Sequence, residues 1–201
     1  MFKTIRIFIV ATVLAFAAPV SADSDHPAQK LVEDSISSML DVMREESDRI
    51  KAEPEFLQAK LEEFIMPNLD FESMTRLAVS KFWRRADSNQ RQELVDEFTK
   101  LLINTYAGAL AQYSGESIEF DPFRPESRED RAVVRSRFLP ITGDSVPVFY
   151  KLRERSGWTI YDIEVNEISL VTSYRSAFSN EIEKNGIDGL IDTLKERNAK
   201  S

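Results

Sequence analysis

Apolar positions recur along this chain with two different periods, and the change between them divides it. Val32, Ile36, Met39, Leu40, Met43 and Ile50 return at steps of three and four, with Pro27 suited to a first helical turn, so the spacing predicts a helix there. Pro54 opens a second helix bearing Leu57, Leu61, Phe64 and Ile65, which Pro67 stops. Asp70 is placed to cap a third, with Met74, Leu77 and Ala78 on its face. The longest helix starts after Asp87, where Gln90 follows three residues on as in a capping box. Its stripe is Leu94, Phe98, Leu101, Leu102, Thr105, Ala109 and Leu110, and Gly115 ends it.

A period of two then takes over. Over Ala132 to Leu139, Val134, Ser136 and Phe138 alternate with Arg135 and Arg137. Over Val146 to Leu152, Val148, Tyr150 and Leu152 oppose Pro147, Phe149 and Lys151. Trp158 to Val165 is β-branched and aromatic, and Ser117 to Phe120 offers a fourth strand. Thr142-Gly143-Asp144 and Arg155-Ser156-Gly157 suit the hairpin turns between them. The chain returns to helical spacing with Tyr174, Phe178 and Ile182, then Gly186, then Ile187, Leu190, Ile191 and Leu194. Helices, a meander and more helices predict an α+β fold: one curved antiparallel sheet of about four strands with helices packed around it.

The first 22 residues read as an address. Lys3 and Arg6 precede an uncharged run from Ile7 to Ala18, and Val20-Ser21-Ala22 is a small-residue cleavage site. The run is shorter than the ~20 residues that span a bilayer. The expected organisation is a cleaved signal peptide over 1–22 and a single domain over 23–201. The chain has no Cys, hence no disulfide, thiolate nucleophile or iron–sulfur ligand, and no N-x-Ser/Thr acceptor. Those features of an exported chain point to the bacterial periplasm.

Net charge is −8, and the segment lost at cleavage carries only basic charges, so the remainder is more acidic still. That balance argues against nucleic acid as a partner, since phosphate binding rests on Lys and Arg. The single His, His26, stands four residues past the cleavage site, where chains are least ordered, so His-based catalysis and multi-His metal sites lack their parts. No nucleophile elbow, Walker loop or dinucleotide fingerprint occurs. Asp162, among apolar neighbours, is either a buried base or a structural ion-pair partner, for instance of Arg175. Arg124, Arg128, Arg131, Arg135 and Arg137, interleaved with Glu126, Glu129 and Asp130, read as a mixed-charge face or as a contact for a headgroup or partner. Periodicity does not separate a packed core from a lined cavity.

Five segments in order carry a resemblance: Met66 to Met74 (MPNLDFESM), Phe82 to Arg91 (FWRRADSNQR), Glu97 to Ala107 (EFTKLLINTYA), Gly157 to Asp162 (GWTIYD) and Ser169 to Phe178 (SLVTSYRSAF). Together, behind a signal peptide, they resemble the MlaC-type periplasmic phospholipid-binding proteins, also described as toluene-tolerance auxiliary proteins. The chain departs from the family pattern at Val79-Ser80-Lys81-Phe82, where Leu-Gly commonly precedes the aromatic-Trp-Arg. It departs again at Glu167-Ile168, where a Gly commonly precedes Ser-Leu-Val.

The resemblance implies a carrier with a sheet like that of nuclear transport factor two and no catalytic residues. It would hold phospholipid acyl chains in an apolar cavity as the soluble component of an ABC-type system that maintains outer-membrane lipid asymmetry. Its partners would be an outer-membrane lipoprotein–porin complex and an inner-membrane ABC transporter with an MCE-domain ring; the bound phospholipid replaces any cofactor or metal, and the chain would act as a monomer. A hopanoid-associated lipid-binding homologue, a periplasmic chaperone or interaction module, and an isomerase or dehydratase using Asp162 remain the alternatives. For the carrier, the candidate lining takes one apolar face from each element: Leu77, Phe82, Phe98, Leu102, Tyr106 and Leu110 from helices; Val134, Phe138, Val148, Tyr150, Leu152 and Ile160 from strands; Val171, Tyr174 and Phe178 from the C-terminal segment.

Overall fold

A computed structural model describes residues 26–111 and 115–200; the predicted signal peptide lies outside them. Six helices surround a five-stranded sheet. The helices are α1 (Pro27–Glu45), α2 (Ser47–Ala52), α3 (Pro54–Phe64), α4 (Phe71–Val79), α5 (Ser88–Leu110) and α6 (Arg175–Asn198). The strands are β1 (Ser117–Phe120), β2 (Arg131–Leu139), β3 (Val146–Glu154), β4 (Trp158–Val165) and β5 (Ile168–Ser169). They pair in sequence order, antiparallel throughout, which is the predicted meander plus one short strand.

The caps act where the sequence placed them. Asp87 Oδ1 accepts from the Gln90 N–H (2.9 Å), and Gln90 Oε1 accepts from the Asp87 N–H (3.2 Å). Asp70 Oδ1 accepts from the Ser73 N–H at the start of α4 (2.9 Å). His26 is ordered, against expectation. Its Nδ1 accepts from the Ala28 N–H (3.2 Å) and its ring stacks on Phe123 at 3.9 Å, so a cap and an aromatic contact anchor a position that chain order alone left loose. The first predicted helix breaks at Glu46, whose φ of −113° separates α1 from α2.

Both departures from the family pattern fall on left-handed backbone: Ser80, after α4, has φ 57° and ψ −126°, and Glu167, in the β4–β5 turn, has φ 66°. Gly186 interrupts α6 with φ 77° and ψ −178°, a conformation essentially reserved for glycine. The break turns Leu190, Ile191 and Leu194 back onto α5 and α4. Three residues later a Cβ on Gly189 would lie 2.3 Å from that of Asn185, so the kink also needs glycine there.

One irregularity governs what the sheet presents. Lys151 pairs with Asp162 but Leu152 pairs with Ile160, so Tyr161 is an extra residue in β4. The bulge reverses the strand's phase. Ile160 and Ile163, three apart, therefore oppose the inward-facing Leu152 and Tyr150, while Asp162 joins Lys151 on the other face.

Buried apolar side chains form three clusters. The first joins α4, α5 and α6 around Phe82, Leu94, Phe98, Phe178 and Leu190. A second joins the start of α1 to the sheet through Val32, Ala132, Val134, Leu152 and Ile160. The third holds α1, α2 and α3 together through Met39, Met43, Ile50, Leu57 and Leu61.

Candidate functional site

The three clusters do not close on one another. Between them lies a partly enclosed cavity of about 190 Å³. Leu61, at the end of α3, lines it with Ile65, Met66 and Leu69 from the connection to α4. Phe71 and Met74 come from α4, and Leu102, Ile103, Tyr106, Ala107 and Leu110 from the last turns of α5. Ile163 of β4 and Leu170, just after β5, complete the wall, whose open surface is apolar throughout. The one lining hydroxyl, on Tyr106, has its pKa raised by burial and further by its hydrogen-bonded neighbour Tyr174, so the wall carries no charge at neutral pH.

Two polar features hold the wall in place. Asp70 caps α4 and pairs with Arg153 Nη2 at 2.8 Å, an ion pair whose side chains are 15% and 11% exposed. Burial pushes the Asp70 pKa up, but the Ser73 and Arg153 hydrogen bonds outweigh it and hold the carboxyl below the usual range. At the far end of α5, Thr105 Oγ1 donates to the Leu101 carbonyl (2.6 Å), keeping its polar atom on the helix.

Of the fifteen residues proposed from the sequence, Leu102, Tyr106 and Leu110 stand in this wall. Tyr150 and Ile160 line a smaller adjoining cavity of about 40 Å³. Phe82, Phe98, Val171 and Phe178 are buried in the helical cluster, with Leu77 and Tyr174 packed against it. Val134 and Leu152 are buried in the sheet cluster, with Val148 packed against it. Phe138 is half-buried near the end of β2. The structure does not bring these last ten to the cavity where the three clusters meet.

The wall residues missing from the proposal had readable signals in part. Leu61, Ile65 and Met74 were placed on helical apolar faces, and a lining drawn from those faces would have found them. Ile163 was out of reach, because simple alternation from Ile160 points inward at Asp162 and only the Tyr161 bulge moves the inward position on by one.

Asp162 does not face the cavity and does not pair with Arg175. It is 4% exposed, accepts from Ser169 Oγ (2.7 Å) and lies 3.6 Å from Lys151 Nζ. Arg175 Nε instead donates to the Leu77 carbonyl (3.1 Å), because the bulge turns Asp162 toward Lys151. Four arginines of the arginine-rich stretch are ion-paired: Arg128 and Arg131 with Asp130, Arg135 with Glu126, and Arg137 with Glu119 and Asp121. Arg128, Arg131 and Glu126 also line a separate, partly open pocket of about 210 Å³ with His26 and Phe123, whose wall mixes polar and apolar groups. Among the described residues, no three His, Asp or Glu side chains converge as metal ligands.

Chemically, the apolar cavity between the three clusters offers no base, nucleophile or anion site. An apolar wall of this kind gives water no hydrogen-bond partners and suits hydrocarbon.

Known proteins place this geometry. A structure of a phospholipid-binding protein from Ralstonia solanacearum, in complex with a phospholipid, superimposes with a TM-score of 0.80 at 32% identity, covering 87% of this chain and 98% of that one. The toluene tolerance protein ttg2D of Pseudomonas putida is 24% identical over 88% of this chain and 82% of its own length. The intermembrane phospholipid transport system binding protein MlaC of Haemophilus influenzae is 21% identical over 96% of this chain and 91% of its own. The family model described as MlaC protein matches residues 33–196, and the chain belongs to the MlaC family.

Proposed function

We propose that this chain is a periplasmic phospholipid carrier, exported by a cleaved signal peptide over 1–22 and folded as a single domain over 23–201. It acts as a monomer that exchanges lipid with an outer-membrane lipoprotein–porin complex and an inner-membrane MCE-domain ABC transporter, and so maintains outer-membrane lipid asymmetry. The observation that carries this reading is the wholly apolar cavity where three separate cores meet. The phospholipid in the Ralstonia structure and the transport role in the Haemophilus name support it.

The physical task is to keep acyl chains out of water. Exposure costs about 0.8 kcal/mol per methylene, so two chains of ~15 methylenes set on the order of 24 kcal/mol against free desorption. An apolar lining removes most of that cost, and transfer then needs only a small difference between two apolar sites. No nucleophile, metal or cofactor enters. Ligand pockets commonly enclose about 300–1,000 Å³, so a cavity of about 190 Å³ must widen to seat a diacyl lipid.

The test is native mass spectrometry with lipid extraction on protein purified from the periplasm. One diacyl phospholipid per chain is expected. Leu102→Asp, which sets a charge in the wall, should lower occupancy at least tenfold while circular dichroism keeps its helix content. A folded wild-type protein without lipid overturns the reading.

A further inference from the structure

The larger cavity ends against three side chains, Ile65, Leu69 and Ile163, and the smaller cavity begins on the other side of the same three. Behind them, Val32 and Ile36 of α1 face Tyr150 and Ile160 of the sheet. This inner space is largely apolar although Ser35, Asn68 and Tyr150 border it, and the Ser35 hydroxyl and the Asn68 amide nitrogen are bonded within the wall. Ser35 Oγ donates to the Leu31 carbonyl (2.6 Å), and Asn68 Nδ2 donates to Ser35 Oγ (2.7 Å) and the Phe64 carbonyl (3.0 Å).

The three dividing residues sit on irregular backbone. Ile65 is the C-cap of α3, Leu69 follows a 3-10 turn in extended conformation, and Ile163 lies just past the Tyr161 bulge. All three are only half-buried. None of the three is a fully buried member of a cluster, although each packs against at least one. Neither cavity alone reaches the size of an ordinary ligand pocket.

On the reading of this chain as an acyl-chain carrier, we propose that Ile65, Leu69 and Ile163 partition one acyl channel into two compartments. The inner compartment, between α1 and the sheet, receives the methyl end of the tail and sets the chain length accepted. A tail long enough to displace the partition gains the inner wall; a shorter one stops against it.

Lipidomics of the co-purified lipid tests this in variants expressed in the same cells. Ile163→Ala removes the partition and should enrich longer acyl chains roughly fourfold per added methylene, the ratio that about 0.8 kcal/mol of burial implies. Ile36→Phe fills the inner compartment and should shift the profile toward shorter chains, with total occupancy kept. Ile65→Ala makes the same opening from α3 and serves if Ile163→Ala does not fold. Lipid-loaded variants with the wild-type chain profile overturn the partition alone. A wild-type protein that carries no acyl lipid overturns the carrier reading and the partition together.

Discussion

Ser80 holds an L-residue in a conformation that suits glycine, and the sequence motif around it is one where the family commonly has glycine. A left-handed non-glycine residue costs roughly 1–2 kcal/mol, and glycine gives part of that back through its freer unfolded chain. Ser80→Gly should therefore stabilise the protein by about 1 kcal/mol, read as a raised urea midpoint at unchanged slope. The Asp70–Arg153 pair is the opposite case, a favourable contact that is costly to break. Asp70→Ala removes the α4 cap and leaves a nearly buried guanidinium without its carboxylate, so denaturation should show a loss of roughly 3–5 kcal/mol. Asp70→Asn, which can still cap, should recover about 1 kcal/mol of it. The same group gives stability a pH dependence. Asp70 has its folded pKa lowered, as does Glu97. Burial pushes Glu97 up, but hydrogen bonds from Lys100 and Asn198 outweigh it. The unfolded chain then binds more protons in acid. Their contribution is whole above the unfolded values near 4 and is lost as the pH falls through the lowered folded ones. Melting temperatures between pH 7 and 3 should fall mainly below about 4, and the fall should be shallower in Asp70→Asn.

At the scale of elements, period and caps decide where helices and strands lie, while single irregular residues decide how they sit. The meander was legible because Val134, Ser136 and Phe138 alternate with Arg135 and Arg137, and turn residues such as Gly143 and Gly157 separate the strands. The extra residue at Tyr161 was not, since a bulge leaves composition unchanged and shows only in pairing. The break at Gly186 belongs to both: glycine between two apolar stripes suggested an interruption, and the backbone makes it a sharp one. Gly186→Ala should cost about 1–3 kcal/mol, because the alanine either strains there or straightens α6 and withdraws Leu190 and Leu194 from the helical cluster. Hydrogen exchange should place the loss of protection in residues 187–198 first. Protection lost evenly over the whole chain would contradict this account.

At the scale of the whole molecule, three apolar clusters that stop short of merging leave stability unclaimed at their junction. A lipid seated there binds the folded chain alone and stabilises it by about 2.7 kcal/mol when its free concentration is a hundred times Kd. For a domain of this size each kcal/mol moves Tm by roughly 2–4 °C, so delipidated protein should melt about 5–10 °C lower and recover when phospholipid is restored. Equal melting with and without lipid would mean that the folded chain does not bind it, and would overturn the carrier reading.

The chain's apolar periods, its caps at Asp70 and Asp87 and its lack of Cys settled the element order, the α+β class and the absence of thiol chemistry, because each depends on residues close in sequence. The resemblance pointed to the MlaC family on the same local segments. Which apolar faces meet and which leave a gap could not be read that way. Phe98 and Leu102 share one stripe of α5 and one buried cluster, yet only Leu102 also borders the cavity. That difference arises only where α3, α4, α5 and the bulged strand come together, since a void is a property of several surfaces at once and belongs to no single stretch of sequence.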